Sequence, residues 1–182
     1  GAGAGALADV TGNLTLDGTV NVSDTSGLGV GSYRLFNYGG ALTDNVLALG
    51  SLPGNIIRGN VVIQTAIAGQ VNIVNQDVSG QLQFWDPRES PGPDEPVPDP
   101  DGQITGGSGV WDSAVANFTN ITGTSADNWG NMYAVFARPA GPGTPATPAT
   151  VTIVGAQDVA GLHFSGDGYV LNAGADGAIN AI

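Results

Sequence analysis

The chain has 182 residues and no cysteine, so it fits one domain or at most two, and disulfides and thiolate metal sites are excluded. Its 30 glycines and 11 prolines are too many for a helical protein, while 41% apolar residues are enough to form a core. The formal net charge is −12, with 16 acidic residues against four arginines and no lysine, which disfavours nucleic acid and anionic membrane surfaces as partners.

The first predicted element covers residues 14–22, "LTLDGTVNV", in which apolar and polar residues alternate. Its apolar residues share one parity: Leu14, Leu16, Val20 and Val22. Side chains along a strand point alternately to its two faces, so this run predicts one face in a core and the other in water. Asp17-Gly18 lies inside the run and therefore indicates a bend within it, not a hairpin between two strands.

Shorter alternating runs follow at intervals of about 20 residues, each bounded by Gly, Asn, Asp or Pro. They begin near Leu14, Tyr33, Val61, Leu82, Val110, Met132, Val151 and Tyr169. Sustained helical spacing is absent, so the sequence predicts an all-β fold. A sandwich, a closed barrel and a solenoid remain open, and the interval favours a parallel β-solenoid because it suits one rung of that fold.

Two of the short strands make specific side-chain predictions. With Leu82 and Phe84 facing the core, the alternation points Trp85 outward. With Leu162 and Phe164 facing the core, it makes His163 a surface residue. The remaining aromatic residues are expected to pack in the core and at rung edges, in preference to forming a platform for sugar rings.

The sequence changes character at residues 87–102, where "PRESPGPDEPVPDPDG" combines prolines with acidic residues. A linker between domains, a calcium loop and a protrusion are all conceivable, but aligning Gly102 with the glycine of an EF-hand loop puts Ser108 where the closing Glu belongs. Prolines favour extended polyproline II, and both flanks carry the same strand signature, so we expect an exposed loop within a single unit spanning residues 1–182. The candidate binding residues are Trp85, Asp94, Glu95, Asp99 and Asp101.

Catalytic chemistry is scarce in the sequence. His163 is the only histidine, which excludes a metal site with two imidazoles from this chain, and no G-x-S-x-G motif is present. Most aspartates stand beside glycine or asparagine, where a turn explains them. We therefore expect no catalysis, no cofactor and no metal, and a carbohydrate-active enzyme is the least favoured alternative.

Two segments carry a resemblance to a known family. "LTLDGTVNVSDTSGLGVGSYRLFNYGGALTDNVLALGSLPGN", followed by "VVIQTAIAGQVNIVNQ", resembles passenger regions of bacterial autotransporters. The segment from "GVWDSAVANF" to "GYVLNAG" resembles the autotransporter-associated β-strand repeat. The matching residues are Gly109, Trp111, Asn117, Phe118, Ala134, Phe136, Val151, Thr152, Ala160, Gly161, Leu162, Phe164, Gly168, Tyr169 and Leu171. Phe118 stands where the repeat often has Trp, and "RPAGPGTPATPAT" is longer than the usual join.

The resemblance implies a right-handed parallel β-helix on the bacterial cell surface, anchored in the outer membrane through a translocator barrel C-terminal to this fragment. It implies a role in adhesion or self-association, with a host cell-surface molecule, a matrix molecule or the protein itself as the partner. The alternative is a structural stalk that presents a binding module elsewhere in the chain. Direct membrane insertion of the fragment is not expected, because no apolar run is long enough to span a bilayer.

Overall fold

The computed structural model describes residues 6–23, 28–76, 81–87, 100–139, 142 and 147–182. These residues form strands joined by turns and irregular segments, with no α-helix among them and a 3₁₀ turn at Arg58–Asn60. The prediction of an all-β chain is therefore confirmed, and every predicted run begins within a strand or next to one.

The strands of the N-terminal half are short, apart from one of eight residues. In chain order they are β1 (Ala8–Val10), β2 (Leu14–Leu16), β3 (Thr19–Val20), β4 (Gly31–Tyr38), β5 (Leu42–Asp44), β6 (Ala48–Leu49), β7 (Val61–Gln64) and β8 (Gln70–Asn75). The strands that follow are β9 (Leu82–Trp85), β10 (Gly109–Trp111), β11 (Phe118–Thr119), β12 (Tyr133–Phe136), β13 (Ala149–Ile153), β14 (Ala156–Val159), β15 (Gly161–Phe164), β16 (Tyr169–Ala173) and β17 (Ala178–Ala181).

Three parallel strand pairs organise the beginning of the chain. Strand β1 pairs with β4, β2 with β5, and β3 with β6, and each partner residue lies 28 or 29 positions further along. The apolar residues of 14–22 are partly or fully buried while the alternate residues are exposed, as the alternation predicted. Gly18 adopts φ +87° between β2 and β3, a conformation that glycine reaches without strain, so the bend predicted at Asp17-Gly18 is also confirmed.

Three parallel stacks organise the C-terminal half. Strands β9, β12 and β15 form one, β10, β13 and β16 form the second, and β14 and β17 form the third. The partner residues are 20 to 22 positions apart for β13–β16 and β14–β17, but 28 apart for β12–β15 and 51 apart for β9–β12. The spacing along the chain is therefore less regular than the interval of about 20 residues predicted from the strand starts.

Antiparallel pairing adds a second pattern that the sequence analysis did not predict. Strand β8 lies between β4 and β7 and pairs with both in antiparallel fashion, so one sheet has the order β1–β4–β8–β7. Strand β11 caps β9 in the same way, which gives the order β11–β9–β12–β15. We call these the N-terminal sheet and the C-terminal sheet.

The C-terminal sheet has a core on each of its faces. One core, within the C-terminal stacks, is mainly aromatic and contains Trp85, Trp111, Phe118, Trp129 and Phe136. The other lies between the two sheets and includes Val74 from β8, Phe84 from β9 and Val135 from β12. Strands β9 and β12 therefore alternate between two cores, and neither of their faces is open to water.

Candidate interaction surface

The segment at residues 87–102, which we call the acidic loop, has a described base in which Asp86 and Thr105 are hydrogen-bonded to each other. The backbone N–H and the hydroxyl of Thr105 both donate to Asp86 Oδ1, at 2.8 and 2.9 Å. Asp86 follows β9 directly and is buried. Burial raises the pKa of the Asp86 carboxyl, and the hydrogen bonds from Thr105 oppose that shift by stabilising the carboxylate.

Further backbone hydrogen bonds hold the two described ends of the loop. The N–H of Asp86 donates to the Asn117 carbonyl at 3.1 Å, and the N–H of Gly102 donates to the Gly123 carbonyl at 3.0 Å. The N–H of Ile104 donates to the Ala66 carbonyl at 2.9 Å. The residues just before the loop and those just after it are thus hydrogen-bonded to each other and to neighbouring segments of the same fold.

The predicted binding residues have different outcomes. Asp94, Glu95 and Asp99 lie outside the described residues. Asp101 is exposed, and its Oδ1 accepts a hydrogen bond from the Gln103 backbone at 2.8 Å. The carboxylate of Asp101 is the one predicted acid that the described residues present to solvent.

The prediction that Trp85 points outward is wrong. Its side chain is 0% exposed, and its indole N–H donates to the buried Gly107 carbonyl at 2.9 Å. The alternation along β9 was read correctly, because Phe84 and Trp85 do occupy opposite faces. The face opposite Phe84 is the aromatic core of the C-terminal stacks instead of solvent.

The other tryptophan side chains, which could have formed a platform for sugar rings, lie in the aromatic core. Trp85 and Trp111 each contact Phe118 edge to face, with ring centroids 5.3 and 5.4 Å apart. Trp129 contacts Trp111 at 5.0 Å and donates its indole N–H to the Asp158 carbonyl. These rings are buried in core packing, as predicted for all of them except Trp85.

The prediction that His163 is an open surface residue is also wrong. His163 is half-buried, whereas Leu162 and Phe164 are 38% and 41% exposed. The face of β15 that carries His163 is covered by the N-terminal sheet, and burial lowers the pKa of the imidazole. Among the described residues, no group of three or more His, Cys, Asp or Glu side chains could hold a metal ion.

A groove in the N-terminal half was not anticipated. It has a volume of about 360 Å³ and is lined mainly by apolar side chains, including Val20, Val22, Leu28 and Ile73. The alternation at residues 14–22 identified the apolar face of that run, but the residues that complete the groove come from distant strands. No short sequence motif marks it.

The described part of the chain contains no helix that is long and apolar enough to cross a membrane. Its fold defines an all-β protein with parallel strand stacks and a buried aromatic core.

Comparison with curated proteins gives a partial match to an autotransporter adhesin. Over 110 residues the chain is 43% identical to the adhesin BmaC autotransporter of Brucella suis biovar 1 (strain 1330). The match covers 59% of this chain and 3% of that protein, so the chain spans a small part of its relative. No protein-family profile matches the chain, and no solved structure matches it. The chain therefore contains a region related to part of an autotransporter adhesin.

Proposed function

We propose that this chain is part of a surface-exposed passenger of a bacterial autotransporter, and that it acts in adhesion or self-association without catalysis. The observation that carries the proposal is the 43% identity over 110 residues to a protein named as an autotransporter adhesin. In the full protein, a translocator barrel C-terminal to this region would anchor it to the outer membrane.

The proposed architecture is a right-handed parallel β-helix with a proline-rich and acidic excursion. The three parallel stacks of the C-terminal half support it, because each contributes one wall around a shared aromatic core. The parallel pairs of the N-terminal half support it as well. The antiparallel strands β7, β8 and β11 would then be local additions to the stacked walls.

The proposed contact surface is the acidic loop at residues 87–102, with Asp94, Glu95, Asp99 and Asp101 as its charged groups. Trp85 is left out because it belongs to the core. A net charge of −12 favours a partner surface with positive charge, so we propose a basic patch of a host cell-surface or matrix molecule as the partner of the loop. Exposed charges steer association and are screened within about 8 Å at physiological salt, so binding to a basic partner should weaken as salt rises. Self-association of two chains with the same negative charge should instead strengthen, because salt screens their repulsion.

The test is direct binding by the purified chain to immobilised matrix proteins and to host cells, with sedimentation to detect self-association. The matched variant replaces residues 88–99 with a short Gly-Ser turn, which keeps Asp86, Thr105 and the described base of the loop. Loss of binding with an unchanged thermal melt supports the loop as the contact surface. Binding that survives the replacement removes the loop from the proposal, and a chain that binds neither a partner nor itself contradicts the adhesin function.

The second candidate is a structural stalk that presents a binding module elsewhere in a longer protein. The burial of Trp85, Trp111 and Trp129 favours it, because the large aromatic side chains that often dominate binding surfaces are here used for packing. A stalk predicts that the isolated chain folds stably and binds nothing in the same assays.

A further inference from the structure

The N-terminal and C-terminal sheets meet at a polar contact between β4 and β15. We call it the β4–β15 junction and define it by Ser32, Arg34, His163 and Ser165. Arg34 donates from Nη2 to the Ser165 carbonyl, and the His163 imidazole is hydrogen-bonded to the backbone of Ser32. His163 Nδ1 lies 3.2 Å from the position that a Cβ on Gly31 would occupy, so ring and strand are in close contact.

The junction is polar, whereas the core between the two sheets is apolar. That core has Ile67 and Val74 on one side and Leu82, Phe84 and Val135 on the other, and Gln70 on β8 makes a further polar contact to the Arg138 carbonyl. At the junction, by contrast, the Ser32 and Ser165 side chains are only 1% and 4% exposed. Among the described strands, β15 pairs with β12 alone. Besides the ring contacts of Phe164 with Phe136 and Tyr169, β15 is therefore attached through this polar contact with β4.

His163 is the one group at the junction whose ordinary pKa lies near neutral pH, and it is the only histidine in the chain. The charged and titratable groups nearby come from every adjoining element. They are Arg34 on β4, Asp9 on β1, Asp167 after β15, Tyr133 on β12, Arg138 after β12 and Tyr169 on β16. Asp167 and Asp9 interact with Arg34, whereas burial dominates the environment of His163.

We propose that the β4–β15 junction is an acid-released latch, in which protonation of His163 loosens the attachment of β15 to the N-terminal sheet. Protonation places a second positive charge in the partly buried contact that already holds the Arg34 guanidinium. Opening lets the imidazolium reach water, and it uncovers an edge strand whose apolar side chains Leu162 and Phe164 are already partly exposed.

The direction of the pH effect follows from the environment of His163. Burial lowers the pKa of the imidazole in the closed junction, so the open junction binds the proton more tightly. The closed state is favoured above about pH 6.5, the ordinary value for histidine, and is lost as the pH falls through the window below it. Each unit by which burial lowers the pKa changes the opening equilibrium about tenfold across that window.

Two measurements on the intact chain test the latch. Because there is one histidine, its imidazole resonance can be followed by NMR without assignment ambiguity, and we expect a midpoint below 6.5. Hydrogen exchange of the peptide covering residues 161–168, corrected for intrinsic rates, should become faster between pH 7.5 and pH 5. The peptide covering β8 serves as an internal reference and should change less. A midpoint at or above the ordinary value, or equal acid responses in the two peptides, overturns the proposal.

The variant His163→Gln removes the titration while keeping a polar side chain, and it should abolish the acid response of residues 161–168. Asp86→Asn is the matched control, because it neutralises another buried titratable group at the base of the acidic loop and should leave that response intact. An unchanged acid response in His163→Gln refutes the latch. If His163→Gln does not fold, the two wild-type measurements still decide, since both are made on the unmodified chain.

Discussion

Trp85 and Trp111 provide a paired test of the aromatic core, because their indole N–H groups differ in hydrogen bonding. Both are 0% exposed, and both contact Phe118 and Phe136. The Trp85 indole N–H donates to the buried Gly107 carbonyl, whereas the Trp111 indole N–H is buried with no hydrogen-bond partner among the described residues. Replacing each Trp with Phe removes the same atoms from one cluster, so the costs of the lost volume largely cancel in the comparison.

The hydrogen bond then decides the difference between the two variants. Trp85→Phe leaves the Gly107 carbonyl buried without its donor, which costs about 1–3 kcal/mol of unfolding free energy. Trp111→Phe leaves no acceptor unpaired and removes a buried donor that had no protein partner. We therefore expect Trp85→Phe to be less stable than Trp111→Phe by about 1–3 kcal/mol, and Trp85→Ala to lose about 3–5 kcal/mol relative to the wild type.

The assay is urea unfolding followed by far-ultraviolet circular dichroism, because tryptophan fluorescence would change with the substitutions themselves. A surface tryptophan would give changes within about 0.5 kcal/mol, so the Trp85→Ala variant distinguishes a buried from an exposed side chain without ambiguity. Equal midpoints and slopes for Trp85→Phe and Trp111→Phe would refute the role assigned to the Gly107 hydrogen bond. A neutral Trp85→Ala would refute the placement of Trp85 in the core.

A Cβ at position 50 would lie 2.2 Å from Asn21 Oδ1, so Gly50→Ala should lower the free energy of unfolding, measured in urea, by about 1–3 kcal/mol. The control Gly54→Ala has open space around the new Cβ and should stay within about 1 kcal/mol of the wild type. Equal effects of the two substitutions would contradict this prediction. Burial raises the pKa of the Asp86 carboxyl, so the folded state binds this proton more tightly than the unfolded state does. The free energy of unfolding should therefore fall as the pH rises above about 4 and the carboxyl ionises. Asp86→Asn should therefore gain stability relative to the wild type between pH 4 and pH 7, and parallel pH profiles would argue against that assignment. Cutting the chain at a specific protease site engineered within residues 88–99 should leave two fragments that co-elute in gel filtration, and elution as two separate folded pieces would reject the single-unit proposal.

Local features of the fold were predictable from the sequence because neighbouring residues determine them. The alternation of residues 14–22 gave the correct buried face, and Asp17-Gly18 gave the bend between β2 and β3. Each of these depends on a few consecutive residues and on the geometry of one strand. For the same reason, the exposed position of Asp101 near a glycine turn could be anticipated.

The partner of each strand could not be predicted in the same way. Strand β9 pairs with β12, 51 residues further on, although β10 and β11 lie between them in the chain, whereas β13 pairs with β16 after 20 residues. The antiparallel pairing of β8 with β4 and β7 depends on contacts over similarly variable distances. An average strand interval does not contain this information, since loop length varies freely while strand spacing in the sheet does not.

Trp85 and His163 show the same limit at the level of single side chains. In both strands the alternation correctly separated the two faces, but it could not say what covers the second face. For Trp85 the cover is the aromatic core, and for His163 it is strand β4. A strand that reads as half-exposed in sequence is therefore buried on both faces when a second layer packs on it, which is the situation of β9.

The described residues around the acidic loop bear on whether it links two domains or projects from one. An interdomain linker would place Trp85, which precedes the loop, and Trp111, which follows it, in separate cores. The two side chains instead share Phe118 and Phe136 as ring neighbours, and Asp86 accepts two hydrogen bonds from Thr105 across the base of the loop. These contacts support the proposal of one unit with a projecting loop. They also separate the two roles physically: substitutions of the loop acids should change binding without changing stability, while substitutions of the core rings should do the reverse.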